Sequence, residues 1–140
     1  LFTFRTAPLA QPAAQSVSAA EIGAVPLRLD YATTPEDREL GLGGRTEIQE
    51  DYGMLFVFPN DDYYGFWMKD MLVPLDMFWL DIQGQVVYIA QNVATSSYPN
   101  VFYTTIPARY VLETAAGFAQ AHNIVTGTPL LLKNFPTVSQ

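Results

Sequence analysis

Gly53–Asp81 reads GMLFVFPNDDYYGFWMKDMLVPLDMFWLD. Two apolar runs bracket a short polar insertion, and Lys69, Asp70 and Asp76 sit among Trp, Met, Phe and Leu. An ion buried without a partner is very costly, so the segment predicts a core with a polar network inside it. The run Gly53–Phe58 does not alternate, which predicts a strand buried on both faces. Pro59-Asn60-Asp61-Asp62 predicts a turn. Tyr64–Lys69 then predicts a strand, Pro74 a break, and Asp76–Ile82 a further strand. Asp81-Ile82-Gln83-Gly84 has the composition of a hairpin turn, with glycine supplying positive φ, and Gln85–Gln91 returns antiparallel.

Upstream, Val25, Leu27, Leu29 and Tyr31 alternate with Pro26, Arg28 and Asp30, the pattern of a half-buried strand. Pro26 suits an edge or a strand start. Thr33-Thr34-Pro35-Glu36-Asp37 opens a helix: Thr34 can cap, Pro35 fits the first position, and Asp37 can return the capping bond. Gly41, Gly43 and Gly44 end that helix within about two turns. Downstream, Thr95–Asn100 is a polar loop, and Val101–Thr105 and Arg109–Glu113 are short strands. Thr114–Asn123 predicts a second helix with Thr114 as its cap and Asn123 as a left-handed close. Leu130–Leu132 is a last strand. About seven to nine short strands with two small helices predict a mainly β fold, a small β-sandwich or barrel-like domain. Residues 1–23 read as a tail or linker with a possible early strand, and 24–140 as one β domain.

The chain has 140 residues, 49% of them hydrophobic and 15% charged, the balance of a globular chain with a core of its own. Fourteen acidic residues against seven basic ones, with no basic cluster, argue against nucleic acid and anionic membranes as partners. No apolar run is long enough to predict insertion in a membrane. The absence of cysteine excludes disulfides, thiolate catalysis and Cys-ligated zinc. The Ala-, Gln-, Ser- and Pro-rich stretch Ala7–Ala20 resembles the linker that follows a removed export signal, so a periplasmic or extracellular location is expected.

The blocks GMLFVFP, FWMKD and PLDMFWLDIQGQVV, in that order, resemble the DUF192 family, whose members typically read GMLFVFP, FWMKNT and an IPLDIIFID-like run. Thr34-Pro35-Glu36-Asp37-Arg38 with Gly41-Leu42 is similar to its TPEERxxGLM stretch. Ala108–Glu113 followed by Ala116-Gly117-Phe118-Ala119 is similar to its ARYVLEVNAGWA stretch. The resemblance runs over about Val25–Leu132, and the ordered set of blocks is its specific part. It implies a compact, mainly β domain, exported in many members, and no established biochemical role. This chain departs from the pattern at Gly43, where a Met-Phe or Met-Tyr pair is common. It also departs at Asp70-Met71, in place of Asn-Thr, and at Gln91-Asn92, in place of Glu-Asn. The cysteines that some members carry are missing, so no role of theirs transfers.

Lys69 and Asp76 are the first candidates for chemistry, Lys69 as base or anion binder. The competing reading, which we favour, is an ion pair that fixes strand register. Arg45 and Arg109 could converge with Lys69 on a small anionic ligand through bidentate contacts, or could pair with Glu113, Asp37 or Asp76. Arg38 is expected to pair locally on its helix. Glu113 is either a general acid partnered by Asp76 or, more simply, an acidic residue at the start of the second helix. Trp67 and the neighbouring tyrosines offer a stacking surface, or cross-strand packing. His122 ends a helix and has no metal-ligand spacing around it, and Gly41–Gly44 follows a helix with no lysine after it, which excludes a phosphate loop. No catalytic residue, metal ligand or cofactor is assigned. The expected function is a non-catalytic exported domain that binds a small ligand or a protein partner, with Arg45, Trp67, Lys69, Asp76, Arg109 and Glu113 as candidate binding residues. The alternative is a hydrolase-like acid–base enzyme using Lys69 with Asp76 or Glu113.

Overall fold

Residues 17–138 are described by the computed structural model. They form nine strands and two short helices: β1 Ser18–Ile22, β2 Val25–Ala32, α1 Pro35–Leu40, β3 Tyr52–Asp62, β4 Gly65–Phe66, β5 Leu75–Leu80, β6 Val86–Val93, β7 Phe102–Tyr103, β8 Ala108–Ala115, α2 Phe118–His122 and β9 Leu130–Leu132. Seven strands make one curled sheet in the order β6-β5-β8-β3-β2-β1-β9, and β4 pairs with β7 separately. The expected mainly β architecture therefore takes the form of a half-barrel. β1 occupies the end of the stretch read as tail plus early strand; the rest of that stretch, up to residue 16, lies outside the described residues.

The order follows from the connections. β5 and β6 form a hairpin closed at Gly84, whose φ is +82°. The Asp81 carboxylate accepts the backbone N–H of Gln83 and of Gln85 across this turn. β2 and β3 are parallel, so a crossover must join them. α1 and residues 41–51 make that crossover and are laid over one face of the sheet. Thr34 caps α1 by accepting the Asp37 N–H at 3.1 Å, Pro35 takes the first turn, and Gly41 ends the helix at φ +49°. At one end the outer strands approach each other: Val86 N–H donates to Thr128 O and Leu130 N–H to Gly84 O, at 2.9 and 2.8 Å.

β3 and β5 are buried on both faces over Tyr52–Val57 and Leu75–Leu80, as the non-alternating first run predicts. One face carries Leu27, Leu29, Leu55, Val57, Phe78, Leu80 and Leu112, with Phe118 of α2 packed on it. The opposite face carries Met54, Phe56, Met77, Trp79 and Val111 under α1, the loop after it and the β4–β7 ribbon. Fully burying one such side chain is worth roughly 1.5–3 kcal/mol, so both layers contribute.

Three local expectations change. Pro59–Asp62 is not a turn but the end of β3. The register against β8 shifts between Val57 and Asp62, and an irregular ladder tolerates a proline that has no N–H to donate. The strand expected over Tyr64–Lys69 contracts to Gly65–Phe66. The second helix starts at Phe118 and not near Thr114, which pairs inside β8 with Gly53 and Asp76. Asn123 closes that helix at φ +54°, as expected.

Candidate functional site

On the face under α1, Glu113 of β8 stands directly between Met54 of β3 and Met77 of β5. Strand alternation forces this position: Val111 and Glu113 share a face, while Tyr110 and Leu112 point to the other. The residue is 6% exposed, and neither of the ion pairs formed among the described residues, Arg28–Asp51 and Arg109–Asp61, involves it. Burial alone pushes its carboxyl up to about 8, with no neighbouring charge or hydrogen bond offsetting the effect.

Glu113 lines a cavity of about 560 Å³. One wall is α1 and the turn after it, from Glu36 to Leu42; another is the segment from Gly65 to Met71; the sheet contributes Phe56 and Phe58. Phe66 meets Phe56 edge-on at 4.9 Å and Phe58 at 6.1 Å, so three rings form a continuous aromatic wall. Gly44 N–H donates to Asp70 O at 2.9 Å, tying the loop after α1 to the opposite wall. Arg38 is fixed in the third dimension. Its guanidinium donates to the Thr33 and Val57 carbonyls at 3.1 and 2.9 Å and stands 5.2 Å from the Phe58 ring. It bridges α1 to β3 through backbone oxygens, in place of the local carboxylate expected.

Trp67 and Lys69 line the same cavity at its mouth, with the Lys69 ammonium 5.8 Å from the indole centroid. Trp67 is 47% exposed and lies 5.2 Å from Tyr98. The structure thus brings together three of the six candidates: Trp67, Lys69 and Glu113.

The other three lie elsewhere. Asp76 is fully buried on the far face, and its two oxygens accept the backbone N–H groups of Asn92 at 2.8 Å and Ala119 at 2.9 Å. The expected Lys69–Asp76 ion pair does not form, because the strand pleat sends Asp76 to the α2 side while Lys69 stays exposed on the other. Arg109 pairs with Asp61 at 2.8 Å. Arg45 stands 5.2 Å from the Tyr52 ring, whose hydroxyl donates to Asp30 at 2.6 Å. Burial first, and then the Asp30 contact, hold that phenol above its usual range. Arg45, Arg109 and Lys69, which could have converged on an anion, do not meet, and Arg109 pairs with Asp61 and not with Glu113, Asp37 or Asp76. Glu113 is not the acidic start of the second helix either: Asp76 supplies that carboxylate.

Phe56, Phe58, Phe66 and Arg38 were not singled out as binding residues. The available signal was the i, i+2 spacing of Phe56 and Phe58, which puts both rings on one strand face. Among the described residues no helix is long and apolar enough to cross a membrane, and no group of three metal-ligating side chains converges.

Fold and site together define a half-barrel β domain with an aromatic-walled cavity floored by a buried acid. The chain belongs to the DUF192 family, described as an uncharacterized ACR, whose model matches residues 17–132. The match begins ahead of β1 and ends with β9. No curated protein matches the chain. Solved structures that share the fold include the following two. A "putative transcription regulator" from Sinorhizobium meliloti 1021 is 27% identical with a TM-score of 0.76, over 82% of this chain and 92% of that one. A protein of unknown function from Novosphingobium aromaticivorans DSM 12444 is 25% identical with a TM-score of 0.77, over 86% of this chain and 89% of that one.

Proposed function

We propose that this domain is a non-catalytic binding module and that the cavity between α1, β4 and the sheet takes a small ligand with an apolar body. The observation that carries the reading is Glu113, a largely buried carboxyl with no ion-pair partner among the described residues, which lines a concave, aromatic-walled space. Among the described residues no sealed side-chain N or O lacks a hydrogen bond, so the Glu113 oxygens open on the cavity, where a ligand can bond to them. The Phe56 and Phe66 rings supply the apolar surface of such a site, and the charged side chains around it can orient a ligand. The test is a fragment screen by protein-observed NMR. Hits that shift Trp67, Phe66 and Glu113 together, and that weaken in Phe66→Ala, support the reading. Hits confined to other surfaces oppose it.

A protein partner is the less favoured occupant, supported by the exposed Leu40, Trp67, Leu72, Tyr98 and Tyr103 side chains. A copurifying protein released by Trp67→Ala would favour it.

An acid–base enzyme is the second reading, and one observation favours it: Lys69 and Glu113 line the same cavity. A general acid works best with a pKa near the operating pH. Asp76 drops out of that mechanism because both its oxygens are engaged by backbone donors. Equal rates for wild type and Glu113→Gln on ester, amide and phosphate substrates would dismiss it. Action outside the cytoplasm is part of the proposal, supported by the composition of residues 7–20, and is tested by fractionating cells that express the full gene product.

A further inference from the structure

The charges around the cavity choose among ligands. Glu36, Glu39, Asp70 and Glu113 line it against Arg38 and Lys69. Arg38 already donates to two carbonyls and covers the Phe58 face, so its charge is partly satisfied. Lys69 is exposed beside Trp67 at the mouth. The floor offers a carboxyl and no donor: Glu113 is flanked across the sheet by Met54 and Met77, which carry no hydrogen-bonding hydrogen. A carboxyl at the base of a space that Phe56 and Phe66 also line suits a cation, which gains from the carboxylate and from any ring face it reaches. An anionic ligand would instead meet four carboxyl groups.

We infer that the ligand of this cavity is cationic, an amine or quaternary ammonium on an apolar body, with its nitrogen against Glu113 and its carbon skeleton on Phe56 and Phe66. The inference rests on the cavity being a ligand site and adds the ligand's charge. A cation beside Glu113 favours the carboxylate, so binding expels a proton whenever the empty site holds the acid form. The empty-site carboxyl ionises at about 8. Affinity for a permanent cation therefore rises about tenfold per pH unit up to that point and levels off above it. The other charged groups facing the cavity are Glu36, Glu39 and Asp70, which are exposed and favour a cation, and Arg38 and Lys69, which oppose one.

The test uses three probes of similar size on the full chain: benzyltrimethylammonium, benzyl alcohol and phenylacetate. Calorimetry between pH 6 and pH 9, in buffers of differing ionisation heat, reads affinity and proton release together. The cation is expected to bind at least tenfold more tightly than either other probe above pH 8 and to release a proton below it, and Glu113→Gln is expected to abolish both effects. Equal or tighter binding of phenylacetate overturns the charge assignment and leaves the binding-module reading intact. Binding of none of the three overturns both. Cation binding that persists in Glu113→Gln, or that releases no proton at pH 7, also overturns the inference.

Discussion

The Asp76 carboxylate accepts the Ala119 N–H at 2.9 Å across 43 residues of sequence, which makes a β5 side chain the N-terminal cap of α2. Its other oxygen takes the Asn92 N–H, in a left-handed residue where β6 slips register against β5. One buried carboxylate thus fixes a helix start and a strand irregularity together.

Asp76→Ala leaves two backbone donors without an acceptor, one of them fully buried. Each such loss costs about 1–3 kcal/mol, so the variant should lose roughly 2–5 kcal/mol in equilibrium denaturation. Asp76→Asn keeps one acceptor and should lose less. Lys69→Met should stay within about 0.5 kcal/mol of wild type, because an exposed lysine with no ion pair among the described residues contributes little. The double variant should be additive; a coupling above about 0.5 kcal/mol would mean that the two side chains interact after all.

Glu113 gives the fold a pH dependence. Its folded-state carboxyl ionises at about 8, against an ordinary value of 4.5. Between these values the folded protein holds a proton that the unfolded chain has lost. The stabilisation is complete below pH 4.5, is lost as pH rises towards 8, and changes no further above that. The expected slope from this group is a loss of about 1.4 kcal/mol per pH unit. Urea denaturation of wild type and Glu113→Gln at pH 5, 6.5 and 8 checks it: the difference in stability should grow in favour of the glutamine as pH rises. Parallel pH profiles would count against a buried, unpaired acid.

The layers of the fold were legible where pattern alone decides them, and the site only in part. Gly53–Phe58 lacks alternation because both faces of β3 are covered, and the glycines after Leu40 stop α1 where they must. Pro59 read as a terminator because local rules do not see a register shift against a strand some fifty residues on. Asp76 could not be assigned its partner for the same reason: the Ala119 N–H is brought to it by packing, not by spacing. Glu113 read as an acid before a helix because Thr114 resembles a cap, whereas the strand continues through Ala115.

Gly84 marks where the half-barrel draws together. A Cβ there would lie 2.7 Å from the Phe135 ring and 2.9 Å from Leu130 O, in a backbone of positive φ. Gly84→Ala should cost about 1–3 kcal/mol, from strain and from loosening the contact between the β5–β6 turn and β9. Hydrogen exchange should quicken at the Val86 and Leu130 amides. Unchanged protection there would mean that the two edges are not held through this turn.

Trp67 is the exposed tryptophan and Trp79 the buried one, whose indole N–H donates to Tyr64 O at 2.8 Å. Trp67→Phe should therefore change stability by less than about 1 kcal/mol while removing most ligand-dependent fluorescence change. A ligand that still alters emission in that variant would be binding away from the cavity mouth.

Glu113 stands on the floor of the cavity with no ion-pair partner among the described residues. Carbon-13 NMR of the labelled Glu113 side-chain carboxyl, followed through a pH titration of the ligand-free protein, tests it most directly. A midpoint near 8 that moves down when benzyltrimethylammonium is added is the expected result. A midpoint near the ordinary 4.5, unmoved by the cation, would contradict it.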